Sequence, residues 1–413
     1  MRWWYTQLFR LLVPMILLRL WWRGRKQRGY RQHWAERFGI YQQKPTQPVI
    51  WLHAVSVGET RAAQPLINAL YEAYPGHRIV LTQMTPTGRD TASAMYGQKV
   101  EAVFLPYDLP GAVDRFLRHF KPVLGLLMET EIWPNLIHAA RQHGVPLYLV
   151  NARLSARSAR GYGRIESLVR PALQSLRGIA AQSDADAARL RLLGNCEVQV
   201  CGNIKFDVQL PPAQLELGQH WRAQLGRRPV VVFGSSRDGE EALLLKAWQD
   251  NPPDALLVIV PRHPQRFDEV AGILEASGMQ WAKRSEQPVS SSLQVWLGDS
   301  MGELYAYYAM ADCALIGGGF MPLGGQNLIE ACATGCPAIV GPHMFNFTDV
   351  TRLAIEAGAA CQVADMQQAV VQIRQWLNDV VLLKDVRESA LQFAQLHAGA
   401  TQRTLALLVT TVH

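Results

Sequence analysis

The chain has 413 residues, of which 49% are hydrophobic and 18% are charged. This length exceeds one ordinary hydrophobic core and predicts about two domains, and the composition excludes a disordered or fibrous protein. The formal net charge is +7, but residues 1–38 carry nine basic side chains against Glu36 alone. That segment is therefore +8, which leaves −1 for the remaining residues and argues against a nucleic-acid-binding body.

The N-terminal segment, residues 1–38, has the composition of a membrane-surface element. Arg10 and Arg19 interrupt its apolar run, which is shorter than the roughly 20 residues that a spanning helix needs. Tryptophans bracket the run at Trp3, Trp4, Trp21 and Trp22. Such tryptophans and the basic tract after them are typical of a helix lying on an anionic lipid surface, at the cytoplasmic face. A single transmembrane span is the alternative.

Residues 39–210 predict a first α/β domain, because short apolar runs alternate with helical patterns. The runs predicted as strands are Val49–Ala54, Arg78–Met84, Ala102–Leu105, Val123–Met128, Leu147–Asn151 and Gly178–Gln182. This alternation is typical of a parallel sheet covered by helices, in which ligands bind beyond the carboxyl ends of the strands.

Polar residues follow several of these predicted strands. After the first strand, Ser56 precedes Glu59, a carboxylate well placed to act as a general base or simply as an N-terminal helix residue. After the fourth come Glu129 and Glu131, and after the fifth comes Arg153. Two acids so close together are costly unless one binds a ligand or titrates abnormally.

Residues 211–413 predict a second α/β domain that begins with a linker at Pro211–Gly226. The predicted strands are Val230–Gly234, Ala255–Val260, Val295–Leu297, Cys313–Ile316 and Ala338–Val340. From Met366 onward the sequence is helical and amphipathic, and its last helix could pack back on the first domain. Two such domains predict a bilobed enzyme with an interdomain cleft.

The stretch from Cys313 to Glu330 predicts a strand, a glycine-rich loop and a helix start. Such a loop leaves backbone N–H groups free for an anion, with Glu330 placed to bind ribose hydroxyls. A tight turn with a surface glutamate is the alternative, since glycines alone are a weak signal. Other polar residues follow the remaining strands: Ser235, Ser236, Arg262, His263, Met301, Gly302 and Glu303.

Seven motifs, in this order, resemble those of the Kdo (3-deoxy-D-manno-octulosonic acid) transferases of lipopolysaccharide synthesis. They are HAVSVGE, ETEIWPN, NARLS, GNIKFD, PRHPQR, GDSMGEL and GGQNLIE. The resemblance covers nearly the whole chain and implies a GT-B glycosyltransferase fold of two Rossmann-like domains. It implies transfer of Kdo from CMP-Kdo to lipid IV-A, a lipid A precursor, at the cytoplasmic face of the inner membrane. It also implies inversion at the anomeric carbon, no cofactor and no required metal.

The resemblance assigns roles by motif. Glu59 matches the catalytic base, and Glu129 is preferred over Glu131 as the second essential acid; Ser56, Glu131 and Arg153 are acceptor-side candidates. Lys205 and Arg262 would face the phosphate or the Kdo carboxylate. The other donor-binding residues implied are Ser235, Ser236, His263, Met301, Gly302, Glu303, Gly325, Gln326, Asn327 and Glu330. Gln326 and Cys332 stand where the family pattern leads us to expect His and Pro, which puts a charged role at 326 in doubt.

Two other functions remain open on sequence grounds. One is a GT-B transferase that uses a UDP-sugar donor and a lipid-linked acceptor, which a comparison of CMP and UDP binding would separate. The other is a non-catalytic nucleotide sensor at the membrane, against which the acids argue because sensing needs no base. The scattered cysteines, without a CxxC pair, argue against a metal or disulfide framework and favour a reduced cytosolic setting.

Overall fold

The computed structural model describes residues 1–42, 44–208 and 210–409. It divides into two compact units. The amino-terminal unit contains Met1–Asp207 and the segment from Ala398, and the carboxyl-terminal unit contains Val208–His397. The sequence-predicted boundary lies three residues later, at 210/211.

The described part of the amino-terminal unit is built on one parallel sheet of order β3-β2-β1-β4-β5-β6-β7. Its strands are β1 (Val49–His53), β2 (Arg78–Gln83), β3 (Val100–Phe104), β4 (Pro122–Met128), β5 (Leu147–Ala152), β6 (Gly178–Ala181) and β7 (Gln199–Val200). Its helices are α1 (Arg2–Arg23), α2 (Val57–Ala62), α3 (Gln64–Ala73), α4 (Pro86–Tyr96), α5 (Pro110–Phe120), α6 (Pro134–Gln142), α7 (Ala156–Gly163), α8 (Glu166–Gln174), α9 (Asp184–Gly194) and α18 (Ala400–Val409).

The sheet is covered on both faces. Alternate residues of β1 enter different cores: Val49 and Trp51 join one cluster, and Ile50 and Leu52 join the other. Side chains of a strand alternate between the two faces of its sheet, so a continuous apolar run marks a strand buried on both sides.

The described part of the carboxyl-terminal unit has a second parallel sheet, of order β10-β11-β9-β8-β12-β13-β14. Its strands are β8 (Val230–Ser236), β9 (Leu256–Pro261), β10 (Trp281–Lys283), β11 (Val295–Leu297), β12 (Cys313–Ile316), β13 (Ala338–Val340) and β14 (Ala360–Gln362). Its helices are α10 (Pro212–Leu225), α11 (Glu240–Asp250), α12 (Phe267–Ser277), α13 (Leu304–Met310), α14 (Ile329–Ala333), α15 (Thr348–Glu356), α16 (Met366–Asn378) and α17 (Val380–His397).

The prediction of a linker at Pro211–Gly226 is wrong, because this segment forms helix α10 with its two capping residues. A proline at the first helical position and a glycine just after the last are favourable helix ends, not breaks. Trp221 of this helix packs on Trp296 and Tyr307, with ring centroids 5.1 and 5.0 Å apart. The prolines therefore start a helix that belongs to the core of its unit.

Helix α1 has two distinct faces. One face packs on the amino-terminal unit, where Phe9, Ile16 and Leu20 join Tyr30 and Tyr107 in a small apolar cluster. The other face exposes an apolar stripe at helical spacing: Trp4, Leu8, Leu11, Met15, Leu18 and Trp22. Among the described helices, none combines the length and the apolarity that crossing a bilayer requires.

Candidate active site

The carboxyl end of β1 holds Glu59 in a fixed orientation. Ser56 is the N-cap of α2, and its hydroxyl accepts the N–H of Glu59 at 3.3 Å. The Glu59 carboxylate turns back on the loop: Oε1 accepts the Ser56 hydroxyl at 3.2 Å, and Oε2 accepts the Val55 N–H at 2.7 Å. This resembles a capping box in which the N–H of Val55, the residue before the N-cap, takes the place of the N-cap N–H, and it fixes the orientation of the side chain.

Glu59 has the acidity of a base that works near neutral pH. Burial raises its pKa to about 7, against the opposing effect of the Val55 N–H. The nearby charges of Glu129 and Glu131 raise the pKa further. A general base is most effective when its pKa lies near the working pH.

Glu129, directly after β4, is paired with a cation. Its backbone has a φ of 56°, an uncommon value for a non-glycine residue. Its Oε1 lies 3.2 Å from Lys205 Nζ. Lys205 therefore neutralises this acid within the amino-terminal unit, a partner that sequence reasoning did not assign to it.

Glu131 faces two rings. Its Oε2 accepts the indole N–H of Trp133 at 2.7 Å and lies 3.8 Å from Nε2 of His53. His53 is fully buried, and its Nδ1 lies 3.0 Å from the Thr82 carbonyl oxygen. The Thr82 hydroxyl oxygen also lies 2.9 Å from Nδ1 and can donate or accept, so this nitrogen is hydrogen-bonded in either tautomer. Among the described residues, Nε2 has no hydrogen-bond partner.

His53 is thus a site residue that sequence reasoning missed. It begins the HAVSVGE motif and ends β1, and the ends of parallel strands are where ligand-binding residues collect. Its position at the end of a predicted strand was the sequence signal that could have identified it. Its Nε2 faces the Glu131 carboxylate, which belongs to the loop after β4, the strand beside β1 in the sheet.

Two other motif residues connect the segments around the site. Asn151, at the end of β5 with a φ of 50°, accepts the Ile204 N–H on its Oδ1 at 3.0 Å and so fixes the segment bearing Lys205. Arg153 is exposed, and its carbonyl oxygen accepts the Thr130 hydroxyl at 2.7 Å. The NARLS and GNIKFD motifs therefore hold one another in place.

The end of the ETEIWPN motif anchors α1. Buried Asp108 accepts the N–H groups of Asn135 and Leu136 at 3.0 and 2.7 Å, which caps α6. The Asn135 side chain donates to the Asp108 carbonyl oxygen at 2.7 Å and contacts the Thr6 hydroxyl at 3.0 Å. Burial raises the pKa of Asp108 to about 6, while the Asn135 and Leu136 N–H groups oppose this effect.

In the carboxyl-terminal unit, the glycine-rich loop after β12 is already occupied by a carboxylate. Buried Glu240 accepts the N–H groups of Gly318 at 2.7 Å, Phe320 at 3.0 Å and Met321 at 3.3 Å. The Gly325 N–H donates to the Gly318 carbonyl oxygen at 2.8 Å. The expectation that this loop keeps its N–H groups free for an anion is therefore wrong for these positions. Burial raises the pKa of Glu240, and the loop N–H groups oppose the shift.

Because Gly324 and Gly325 have no side chains, a second loop can pack closely on the glycine-rich loop. A Cβ at Gly325 would meet Met344 Sδ at 2.3 Å, and one at Gly324 would meet Asn346 Nδ2 at 2.1 Å. The loop after β13 therefore lies directly on the glycine-rich loop. Beside it is a groove of about 500 Å³, which sequence reasoning missed and which is lined by residues of that loop, of α15 and of β14.

The two serines at the end of β8, Ser235 and Ser236, are both buried. Buried Ser236 donates its hydroxyl to Glu241 at 2.6 Å, and Glu241 in turn accepts Arg266 at 2.5 Å. The Ser236 side chain is thus engaged inside the unit, contrary to the free anion ligand expected. Ser235 has a φ of 56°, which is uncommon for a serine.

The remaining predicted donor residues lie at the carboxyl ends of the second sheet. Asn327 donates to Glu330 Oε1 at 3.2 Å. Burial raises the pKa of Glu330, and the Asn327 hydrogen bond and the charge of Arg262 oppose this effect. Glu303 lies 3.4 Å from Arg284 Nη2. The others in this set are partly or fully exposed: His263, Met301, Gly302 and Gln326. Within the described residues, no group of three or more His, Cys, Asp or Glu side chains could hold a metal ion.

Comparison with known proteins gives the family. Residues 32–208 match the family model described as 3-deoxy-D-manno-octulosonic-acid transferase (kdotransferase). A 3-deoxy-D-manno-octulosonic acid transferase of Bordetella pertussis is 45% identical, covering 97% of both chains. The corresponding protein of Haemophilus influenzae is 36% identical, covering 98% of both.

Solved structures support the same class of fold. The UDP-GlcNAc 2-epimerase of Neisseria meningitidis has a TM-score of 0.55 at 15% identity, covering 88% of this chain and 100% of that one. Two parallel α/β units of this kind make a GT-B fold. Together with the full-length relatives, they show that the chain belongs to the 3-deoxy-D-manno-octulosonic acid transferases.

Proposed function

We propose that this Kdo transferase uses CMP-Kdo as donor and lipid IV-A as acceptor, and that it inverts the anomeric carbon. The single observation that carries the mechanism is the Glu59 carboxylate, which is held by Val55 and Ser56 and has a pKa of about 7. Such a group can take a proton from an alcohol at neutral pH.

The reaction is a displacement in which Glu59 is the base. The acceptor hydroxyl oxygen attacks the anomeric carbon of Kdo while its proton passes to Glu59. The bond between that carbon and the phosphate oxygen breaks, and CMP leaves with the electron pair. Attack from the face opposite CMP inverts the configuration.

The charges around Glu59 support this assignment. Glu129 and Glu131 disfavour its ionised form, so Glu59 becomes a stronger base than an exposed glutamate. Lys205 neutralises Glu129 and keeps a positive charge at the same sheet edge. A carboxylate or phosphate of the donor could compete with Glu129 for this ammonium group.

The donor side of the proposal rests on Arg262, Asn327 and Glu330. The growing charge on CMP requires donors directed at it, and an arginine meets that need without a metal ion. Glu330, already held by Asn327, is available to accept from ribose hydroxyls. The loop N–H groups that Glu240 occupies are not assigned to phosphate binding.

We further propose that α1 holds the protein on the cytoplasmic face of the inner membrane. Its exposed stripe of Trp, Leu and Met side chains suits the lipid boundary, and the basic residues of the segment suit anionic headgroups. The opposite face is tied to the amino-terminal unit through Thr6 and Asn135.

Mass spectrometry tests the function directly. Purified protein is incubated with CMP-Kdo and lipid IV-A, and we expect the acceptor to gain the mass of Kdo as CMP is released. Proton NMR of the product gives the anomeric configuration. A parallel reaction with UDP-sugars tests the alternative donor, and transfer from those donors alone would contradict the proposal.

A further inference from the structure

His53 has one ring nitrogen that the surrounding protein leaves unsatisfied. The residue ends β1 and is fully buried, and among the described residues its Nε2 has no hydrogen-bond partner. A buried polar atom without a partner is costly, so its presence in a folded protein needs a structural or functional reason. Oε2 of Glu131 lies 3.8 Å from this nitrogen, so a carboxylate is the group that Nε2 faces.

The other ring nitrogen, Nδ1, is satisfied by Thr82. The Thr82 hydroxyl oxygen lies 2.9 Å from Nδ1 and accepts the Trp51 indole N–H at 2.8 Å, so its own hydrogen is available to Nδ1. The other acceptor for that hydrogen, the Leu52 carbonyl oxygen, is farther away at 3.4 Å. A lone pair on Nε2 would face the negative charge of Glu131. From these contacts we assign the ring hydrogen to Nε2.

The Glu131 carboxylate is held through one of its two oxygens. Oε2 accepts the Trp133 indole N–H at 2.7 Å and faces His53, and the side chain keeps 21% of its surface exposed. After the larger effect of burial, the charge of Glu131 contributes to raising the pKa of Glu59, so the two carboxylates are close. Each carboxylate oxygen can accept hydrogen bonds, so Oε1 can bind a ligand hydroxyl while ring N–H groups orient Oε2.

We propose that His53 is a positioning residue for the acceptor: its Nε2–H orients the Glu131 carboxylate, whose Oε1 accepts a hydroxyl of the acceptor sugar. This inference rests on the proposed function, because it takes the acceptor to be a glycolipid. The separation of 3.8 Å is longer than a hydrogen bond, and we expect it to shorten in the complex, since such contacts often tighten only when substrate binds.

The acceptor sugar is favoured over the Kdo of the donor. Glu131 lies in the same unit as Glu59, which takes the acceptor proton in the proposed mechanism, and its charge acts on that base. The residues proposed to bind the donor, Arg262 and Glu330, belong to the other unit.

The test compares two amide substitutions of the same buried ring. The His53→Gln side chain is long enough to place its NH2 group near the position of Nε2, where it can still donate to Glu131. The shorter His53→Asn side chain reaches only the position of Nδ1 and the Thr82 contact. Both remove the imidazole from the end of β1, so a merely structural role predicts equal effects. Thermal unfolding checks that both are folded, and initial rates are measured in detergent micelles.

We expect the KM for lipid IV-A to rise at least about ten-fold in His53→Asn and less than about three-fold in His53→Gln. In both variants kcat and the KM for CMP-Kdo should change by less than about three-fold. If His53 acts through Glu131, the two substitutions are not additive. Glu131→Gln should raise the KM for lipid IV-A, and adding His53→Asn to it should raise that KM no further.

NMR of histidine rings labelled with nitrogen-15 tests the hydrogen bond without a substitution in the core. We expect one histidine of the wild type, with its hydrogen on Nε2, to shift in Glu131→Gln. The comparison is decisive even where a His53 variant does not fold, because it uses only the wild type and a substitution at a partly exposed position.

Four outcomes overturn the proposal. They are equal KM values for lipid IV-A in His53→Asn and His53→Gln, a further rise when His53→Asn is added to Glu131→Gln, a rise in the KM for CMP-Kdo instead, and no histidine shift in Glu131→Gln. The third would assign Glu131 to the Kdo of the donor. If the wild type forms no product, the proposed function fails instead, and the NMR comparison still decides whether His53 donates to Glu131.

Discussion

The carboxylate of Glu240 lies 2.7 Å from the backbone nitrogen of Gly318 and accepts its hydrogen. The same carboxylate also accepts from Phe320, so the side chain of α11 organises the loop that follows β12. A buried anion belonging to the protein therefore occupies a position that glycine-rich loops in other proteins offer to phosphate.

Glu240→Gln tests this organising role. An amide retains one acceptor but directs its NH2 group at backbone donors, which leaves buried N–H groups unsatisfied. We expect the free energy of unfolding to fall by about 2–3 kcal/mol, measured by urea denaturation. Glu216→Gln, at an exposed site on α10, is the control and should have little effect. Equal stability of the two variants would show that the loop forms without the carboxylate.

Glu59→Gln tests the base. The amide keeps the size of the side chain but cannot take a proton, so kcat should fall by about 10²–10⁴-fold. The affinity for CMP-Kdo, measured by calorimetry, should change little. The exposed Glu72→Gln variant of α3 controls for loss of charge and should behave as the wild type. Unchanged turnover in Glu59→Gln would refute the assignment.

The pH dependence of the rate follows from the raised pKa of Glu59. Only the ionised carboxylate can act as base, so kcat/KM should rise with pH, level off above about 7, and fall as the group is protonated below that value. The charge of Glu129 raises this pKa. In Glu129→Gln the midpoint of the residual activity should therefore move to lower pH. If the midpoint does not move, the charge of Glu129 does not influence the ionisation of Glu59.

Gly325→Ala tests the packing of the two loops in the carboxyl-terminal unit. Both Gly325 and Gly335 have a positive φ, at 76° and 72°, so alanine strains the backbone at each. Only at Gly325 does the new methyl group meet Met344, since nothing lies within 4 Å at Gly335. We expect Gly325→Ala to lose more stability than Gly335→Ala, and to weaken CMP binding measured by calorimetry. Equal effects would mean that backbone strain alone explains the glycine.

The fold followed from the sequence wherever apolar runs were bounded by polar turns. Val295–Leu297 and Cys313–Ile316 were predicted with the bounds that the structure has, because buried parallel strands need continuous apolar residues. The short strands Gln199–Val200, Trp281–Lys283 and Ala360–Gln362 were not predicted. These three strands lie at sheet edges, where side chains are only partly covered. They therefore contain polar residues and lack the continuous apolar run on which the prediction depended.

The sequence predicts where the candidate site lies, but not how its side chains pair with one another. Glu59 and Glu129 were singled out because each was expected to follow a strand, and in the structure both do. The contact between Glu129 and Lys205 could not be predicted, because it joins residues 76 positions apart through the fold. The prediction for the glycine-rich loop was wrong for a physical reason. The glycine pattern indicates accessible N–H groups, but Glu240, which is distant in sequence, accepts their hydrogen bonds.

The hydrogen bonds among Thr6, Asn135 and Asp108 bear on how this protein can be shortened for crystallisation. Deleting residues 1–23 to improve solubility would uncover Tyr107 and Asn135 and remove packing from the start of α6. Replacing outward-facing side chains such as Leu11 and Leu18 with glutamine leaves that packing untouched. We therefore expect polar substitution on α1 to improve solubility with less loss of stability than truncation.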